Sequence, residues 1–275
     1  PDDFGNQGSL PTHPKLLDWL VVEFRESGWD MQHMIRLMVT SEAYQRSSVP
    51  TPDLQENDPD NQWLARGPKH RLSAEMIRDH ALASSGLLNR EIGGPPVKPY
   101  QPEGLWKEKK ADVIYVPSTG DDLFRRSLYT FWKRTSPPPN MLTFDASERN
   151  VCIVKREATA TPLQSLVLLN DPQFVEASRV LAELILTEIP DNPEAKITYA
   201  FRSLTSRAPR PEEMDVLRET YEEQLAYYRQ NPEEANKLLE VGEKKVQFRD
   251  SPPQLAAYTM LANTIMNFED TYLKY

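Results

Sequence analysis

Cysteine and glycine are both scarce in this chain, and their scarcity excludes several classes of site. The single cysteine, Cys152, rules out an internal disulfide bond and any metal cage built from several thiolates. It also rules out the Cys-x-x-Cys-His attachment sequence of c-type haem. Of only 10 glycines, the one adjacent pair, Gly93-Gly94, is followed by two prolines, so no glycine-rich phosphate loop is predicted. We therefore predict no metal site and no cofactor in this chain.

Long apolar runs and an excess of positive charge are also missing. No apolar run approaches the roughly 20 residues that a membrane-spanning helix needs, so no membrane span is predicted. The formal net charge is -9, which argues against nucleic acid as a partner because phosphate binding needs a dominant basic face. The chain begins at Pro1 rather than at Met, and we expect it to be the C-terminal part of a longer polypeptide.

Proline, in contrast, is abundant at 24 residues, and in the last third its positions predict where helices begin. A proline at the first helical position is favourable because its fixed φ suits the helix and its missing N–H would have no partner there. Helices are predicted to begin near Thr161-Pro162, Asp171-Pro172, Asn192-Pro193, Arg210-Pro211, Asn231-Pro232 and Ser251-Pro252, the last running to the end of the chain.

The remainder of the chain gives a weaker helical pattern. Residues 14–46 have apolar positions at helical spacing and predict a helical hairpin, and Ser73 is predicted to cap a helix that ends near Leu88. Residues 91–119 are too rich in proline and glycine for regular structure. Residues 127–132 fit either a strand or a buried helical turn, and residues 137–139 predict a polyproline step.

The predicted fold class is therefore mostly α: a helical array with a proline-rich, loop-rich centre and at most short strands. We expect residues 1–275 to form one helical domain, with a subdivision into 1–120 and 121–275 as the alternative.

A basic and aromatic segment near the middle of this acidic chain provides the candidate ligand-binding site. Arginine suits carboxylate, sulfate and phosphate groups because its planar fork can donate two parallel hydrogen bonds, and aromatic rings can support sugars and cations. The candidate ligand-binding residues are Arg125, Arg126, Arg134, Arg149, Arg156, Trp132 and Asp145.

A purely structural explanation of the same segment stays open. In it, Arg125, Arg134 and Arg156 form ion pairs with Asp145, Glu148, Glu157 or Asp171, and no ligand binds. Elsewhere, Glu75 and Asp79 lie four residues apart and share a helix face, which we interpret as a salt-bridged surface. Cys152, between Val151 and Ile153, is predicted to be a buried structural cysteine.

Several long stretches of the chain resemble one known family. They include "RLSAEMIRDHALASSGLL", "GGPPVKPYQPEGLW", "RRSLYTFWKRTSPPPNMLTFDA" and "TPLQSLVLLNDPQFVEASR". These are similar to the domain of unknown function 1553 family, the C-terminal domain of large planctomycete-type exported proteins. The chain departs from the family pattern at Ser73, where Asp is expected, and at "REATATP".

The resemblance implies a cellular context but no mechanism. Proteins with this domain often carry a cytochrome c module upstream, so haem is implied only in such an upstream domain. An extracytoplasmic or periplasmic location and a connection with polysaccharides are also implied. The resemblance assigns no catalytic residue.

Three functions follow as hypotheses. The first is a non-catalytic helical module that binds upstream domains of its own polypeptide, another partner domain or an anionic glycan. The second is an enzyme that acts on an anionic or sulfated polysaccharide through the arginine-rich segment, with Asp145 or Glu148 as the acid or base. The third is a docking module for an upstream cytochrome c domain.

Overall fold

A computed structural model describes residues 7–108 and 114–274 of the chain. The chain divides into two compact units. Unit 1 comprises residues 1–71, 153–155 and 273–275, and unit 2 comprises residues 72–152 and 156–272. The predicted single domain, with its alternative boundary at residue 120, stays a prediction.

Unit 1 is built from short helices and one small strand pair. Its helices are α1 (Pro14–Glu26), α2 (Met31–Val39), α3 (Glu42–Gln45) and α4 (Pro52–Asn57). Strand β1 (His70–Arg71) pairs antiparallel with β2 (Leu273–Lys274), with His70 opposite Lys274 and Arg71 opposite Leu273.

The predicted N-terminal hairpin is present as α1 and α2. The first helix ends before Gly28, which has a φ of 74° and so turns the chain in a conformation that glycine adopts without strain. The Asp30 carboxylate then accepts hydrogen bonds from the backbone N–H groups of Gln32 and His33, which caps the second helix. Within the described part of the two helices, Met34 alone is buried.

Unit 2 contains the longer helices. They are α5 (Ala74–Ser84), α6 (Leu105–Glu108), α7 (Pro139–Thr143), α8 (Pro162–Asn170), α9 (Pro172–Glu188), α10 (Pro193–Thr205), α11 (Pro211–Gln230), α12 (Pro232–Leu239), α13 (Pro252–Met266) and α14 (Glu269–Tyr272). Two short 3₁₀ helices span Gly120–Phe124 and Ser127–Tyr129.

Every predicted proline start is confirmed, because helices α8 to α13 each begin at the expected proline. Ser73 also caps α5, since its hydroxyl accepts a hydrogen bond from the N–H of Met76. This helix ends at Ser84 rather than Leu88, because Gly86 adopts a φ of 76° that no right-handed helix contains.

For residues 127–132 the helical alternative is the one observed, because Ser127–Tyr129 form a 3₁₀ turn with Ser127 buried. Two other local expectations need correction. The final helix does not run to the chain end but stops at Met266, and α14 follows it. The predicted polyproline step is shorter than expected, because Pro139 already begins α7.

The core of unit 2 is centred on α13, which packs against α9, α10, α11 and α12. Helix α13 is apolar on nearly every side, as expected for a helix surrounded by others. Fully buried side chains of this core include Leu181, Ile185, Phe201, Leu255 and Leu261.

Buried charged groups on α9 attach the segment after α12 to this core. Glu176 accepts hydrogen bonds from Tyr100 Oη at 3.0 Å and from the N–H of Lys244 at 2.6 Å. Arg179 pairs with Glu183 at 2.6 Å and donates to the carbonyl of Lys244 at 2.5 Å. Burial raises the pKa of Glu176, although these hydrogen bonds and the nearby Arg179 favour its charged form.

The architecture is mostly α, with short strands and a loop-rich centre between α5 and α8. The predicted fold class is confirmed.

Candidate functional site

Arg125, the first of the predicted ligand-binding arginines, is buried and has hydrogen-bond partners within the chain. Its guanidinium donates to the carbonyl oxygens of Pro95 at 3.1 Å, Glu91 at 3.4 Å and Gly93. It also lies over the ring of Tyr129, 4.1 Å from the centroid. The side chain thus fixes the glycine- and proline-rich loop to the segment that contains Tyr129.

Arg78 on α5 is a second buried arginine in the same region. It donates to the carbonyls of Arg125 at 2.7 Å and Leu123 at 2.8 Å, and to the Ser127 hydroxyl at 3.1 Å. Asp79 lies 3.7 Å away and accepts the Ser127 N–H at 2.7 Å. Burial lowers the pKa of Arg78 to about 10, while Asp79 and Asp171 favour its charged form. The guanidinium remains charged at neutral pH and holds the 3₁₀ segment against α5.

Arg156 forms an ion pair, as the structural explanation predicted, but its partner is Glu75 on α5. The two nitrogen–oxygen distances are 2.7 Å and 3.1 Å. Burial raises the pKa of Glu75, but the hydrogen bond and charge of Arg156 outweigh this and hold it below its ordinary value. The interpretation of the Glu75 face as a salt-bridged surface agrees with this contact.

Asp145 takes part in a local hydrogen-bonded turn. Its carboxylate accepts the N–H and the hydroxyl of Thr159, each at 2.9 Å. Gln164 on α8 donates to the carbonyls of Thr143 at 2.9 Å and Thr159 at 3.1 Å. The carboxylate therefore links the end of α7 to the start of α8.

The other predicted site residues lie closer to the surface. The Arg149 guanidinium stacks on Trp132, 4.6 Å from its ring centroid, and the Trp132 indole donates to the carbonyl of Glu148 at 3.2 Å. Arg126 and Arg134 are exposed.

The structure joins the predicted residues in separate small groups. Arg149 meets Trp132, while Arg125, Asp145 and Arg156 each bind a different partner within the chain. The assignment of these seven residues to a ligand site stays a prediction.

An arrangement that the sequence analysis missed lies beside this segment, and we name it the lysine–tryptophan cluster: Lys98, Trp106, Tyr115, Phe131 and Lys133. The ammonium groups of Lys98 and Lys133 lie 5.7 Å and 4.3 Å from the centroid of the Trp106 ring. Tyr115 and Phe131 surround the same indole, with ring centroids 5.1 Å and 5.9 Å away. Its members come from four places in the sequence, and only Phe131 and Lys133 lie within the basic and aromatic segment that the sequence analysis singled out.

Cys152 is exposed rather than buried, so the prediction of a buried structural cysteine is wrong. The apolar neighbours that motivated the prediction, Val151 and Ile153, are exposed as well. All three lie in the irregular segment between α7 and α8, where no helix or strand turns a face toward a core.

In the part of the chain that the structure describes, no group of three or more histidine, cysteine or carboxylate side chains is placed to hold a metal ion. Two histidines have other partners. His33 Nε2 lies 2.8 Å from Glu23, and His80 Nε2 lies 2.8 Å from the carbonyl of Leu204.

The helical hairpin of unit 1 has an unusual apolar surface. The exposed fractions reach 60% for Val21, 66% for Trp29 and 68% for Met31. We call this set the hairpin apolar surface, and it consists of Leu16, Leu17, Trp19, Val21, Val22, Trp29, Met31, Ile35, Met38 and Val39.

Comparison with known proteins gives the family of the chain. The family model described as PSD1, protein of unknown function (DUF1553), matches residues 1–221. The chain belongs to this family. The match covers unit 1 up to Arg71 and reaches into α11, so it includes the basic segment and the lysine–tryptophan cluster.

Beyond the family model, no curated protein and no solved structure matches the chain. No described helix of this DUF1553 protein combines the length and the hydropathy needed to cross a bilayer.

Proposed function

We propose that this DUF1553 chain is a non-catalytic helical module of an exported multi-domain protein, and that its N-terminal hairpin binds another domain of the same polypeptide. The observation that supports the proposal is the hairpin apolar surface. Isolated exposed apolar residues are normal on proteins, but a large number of them within one helical hairpin supports a protein contact site.

The physical argument rests on the stability of short helices. Helices of 13 and 9 residues are marginal in water unless an apolar face is buried. In this hairpin Phe24 and Trp29 pack edge to face with centroids 5.2 Å apart, and Glu23 binds His33. These contacts join the helices but leave most of their large apolar side chains exposed, so a further surface would stabilise them.

The composition of the hairpin apolar surface indicates what that further surface should be. Tryptophan and methionine, both present here, are enriched at the centres of protein interfaces, whereas charged residues are depleted there. The matching face of the partner should therefore be apolar at its centre. The family resemblance implies upstream domains, including cytochrome c modules, and these are the partners we propose.

The test is a calorimetric titration of this chain with the separately produced upstream domains of its natural polypeptide. We expect saturable binding that Val21→Asp weakens at least about 10-fold, because the new carboxylate would have to be desolvated in the interface. Val216→Asp is the matched control, since Val216 on α11 is exposed by 58%, almost as much as Val21. It should leave the affinity unchanged.

Absence of binding would contradict the proposal, as would equal weakening by the two substitutions. Helical circular dichroism of both variants verifies that the comparison is made between folded proteins.

The other two functions stay predictions. An enzyme acting on an anionic polysaccharide through Arg125, Arg156 and Asp145 would first have to displace the partners that these side chains have within the chain. Docking of a cytochrome c domain is one form of the proposed interaction.

A further inference from the structure

The lysine–tryptophan cluster places two positive charges around one indole ring. Lys133 lies 4.3 Å from the Trp106 centroid and Lys98 lies 5.7 Å from it. Lys98 is also 5.9 Å from the Tyr115 centroid and 5.7 Å from that of Phe131. Each ammonium is attracted by the negative ring faces, which restricts where two otherwise flexible side chains can point.

The backbone around the cluster is fixed by hydrogen bonds. The N–H of Val97 donates to the carbonyl of Tyr129 at 2.8 Å, and the N–H of Phe131 donates back to the carbonyl of Val97 at 2.7 Å. The Tyr115 hydroxyl donates to the carbonyl of Pro99 at 2.6 Å. These bonds fix the backbone on either side of Lys98 relative to Phe131 and Tyr115. The fold therefore determines where the residues of the cluster lie.

The charges of the two lysines are not neutralised within the described part of the chain, where neither forms an ion pair. Other lysines of the same unit do form ion pairs: Lys196 binds Asp191 at 2.7 Å and Lys237 binds Glu234 at 2.7 Å. Two like charges held near one ring repel each other. A bound anion would attract both ammonium groups and so offset that repulsion.

Two buried groups at the cluster lack hydrogen-bond partners in the described part of the chain. Trp106 is only 5% exposed, and its indole N–H has no partner there. Ser136, whose backbone N–H donates to the carbonyl of Lys133 at 2.9 Å, has a buried hydroxyl that also has none. An indole N–H can only donate, so the group that would satisfy it is an acceptor.

Positive charges and an unpaired donor around one ring favour an anionic ligand. We propose that Lys98 and Lys133 bind an oxyanion, namely the sulfate, phosphate or carboxylate group of an acidic ligand, with the Trp106 indole as an additional donor. Aromatic rings hold both ammonium groups in place, so little side-chain freedom is lost on binding. This site shares no residue with the hairpin apolar surface, so the proposal does not depend on the proposed function.

The test is isothermal titration of the complete chain at pH 7 and low ionic strength. The probes are sodium sulfate, sodium phosphate, a sulfated oligosaccharide, a uronate oligosaccharide and a neutral oligosaccharide. We expect saturable binding of at least one of the anionic probes and none of the neutral one. The free ions and the oligosaccharides then distinguish an isolated anion from an acidic sugar as the ligand.

The matched variants are Lys133→Gln and Lys245→Gln, because both remove a lysine charge from unit 2 but only Lys133 contacts Trp106, whereas Lys245 is exposed outside the cluster. Lys133→Gln and Lys98→Gln should each weaken anion binding about 10-fold, the size expected for one charge-assisted contact. Lys245→Gln should leave binding within about twofold. Trp106→Phe keeps a ring but removes the N–H, and it should weaken binding while the protein stays folded.

Two outcomes would overturn the proposal. One is that no anionic probe binds saturably. The other is that Lys245→Gln weakens binding as much as Lys133→Gln, which would indicate that binding depends on overall charge rather than on the cluster. If the glutamine variants fail to fold, Lys133→Arg retains the charge and must retain binding for the proposal to stand.

Discussion

Arg156 and Glu75, which are 81 positions apart in the sequence, form a two-point ion pair with nitrogen–oxygen distances of 2.7 Å and 3.1 Å. The pair attaches the irregular segment before α8 to the first turn of α5. Glu75 also lies in the part of α5 where a negative charge interacts favourably with the helix dipole.

Removing this ion pair should lower stability by a modest amount. We expect Arg156→Ala to lower the free energy of unfolding by about 1 kcal/mol, because the pair has good geometry but is partly solvated. Arg134→Ala should change it by less than about 0.5 kcal/mol, since that side chain is exposed. Urea unfolding measures the free energy of unfolding of both variants. Equal losses would contradict the conclusion that the Arg156 ion pair stabilises the protein.

Replacing the buried guanidinium of Arg78 should be far more damaging. Arg78→Met would leave the carbonyls of Leu123 and Arg125 without their donor and Asp79 without its cation, and we expect a loss of about 3–5 kcal/mol. Arg90→Met, at an exposed position of the same unit, is the control and should be nearly neutral. Urea unfolding of the two variants makes the comparison, and similar losses would refute the role given to Arg78.

Gly242 should tolerate alanine less well than a glycine of the same backbone conformation. A methyl carbon there would overlap the Glu176 carboxylate, whereas at Gly93 it would meet no atom within 4 Å. Their φ values are 93° and 90°, so both substitutions introduce the same strain of about 1–2 kcal/mol. The thermal midpoint of Gly242→Ala should therefore fall further than that of Gly93→Ala, and an equal fall would show that the Glu176 contact is unimportant.

Acid should weaken the contact between Arg207 and Glu213. The hydrogen bond from Arg207 lowers the pKa of Glu213 to about 2, from an ordinary value of 4.5. Because the pKa is depressed in the folded state, the stabilisation is fully present above 4.5 and is lost as the pH falls toward 2. Glu213→Gln should therefore destabilise the protein most above about pH 5.5 and progressively less by pH 3. Urea unfolding at these two pH values measures the difference, and a pH-independent effect would contradict it.

Local chemistry explains why the helix starts were predictable. A proline fixes its own φ, and the side chain before it can cap the first turn, so Asp171-Pro172 and Asn192-Pro193 begin helices through contacts that are local in the sequence. The same is true of Ser73 and Asp30, whose side chains accept bonds from N–H groups two or three residues away.

The candidate site could not be predicted in the same way, because its contacts join distant parts of the chain. Nothing near Arg156 in the sequence points to Glu75, and nothing near Lys98 points to Phe131. The prediction for Cys152 failed for a related reason. Two apolar neighbours describe a residue's immediate surroundings, whereas its exposure depends on whether other segments cover it.

Because Cys152 is exposed, a thiol-reactive probe can be attached to the protein at one atom, the Cys152 Sγ. Because the sequence contains no other cysteine, a maleimide dye or spin label attached to the native chain will report from a single known position, between the turn at Asp145 and the Arg156 ion pair. No engineered thiol is needed for such labelling. In an oxidising solution the same thiol gives the chain one way to form a covalent dimer, so a reducing agent will keep preparations uniform.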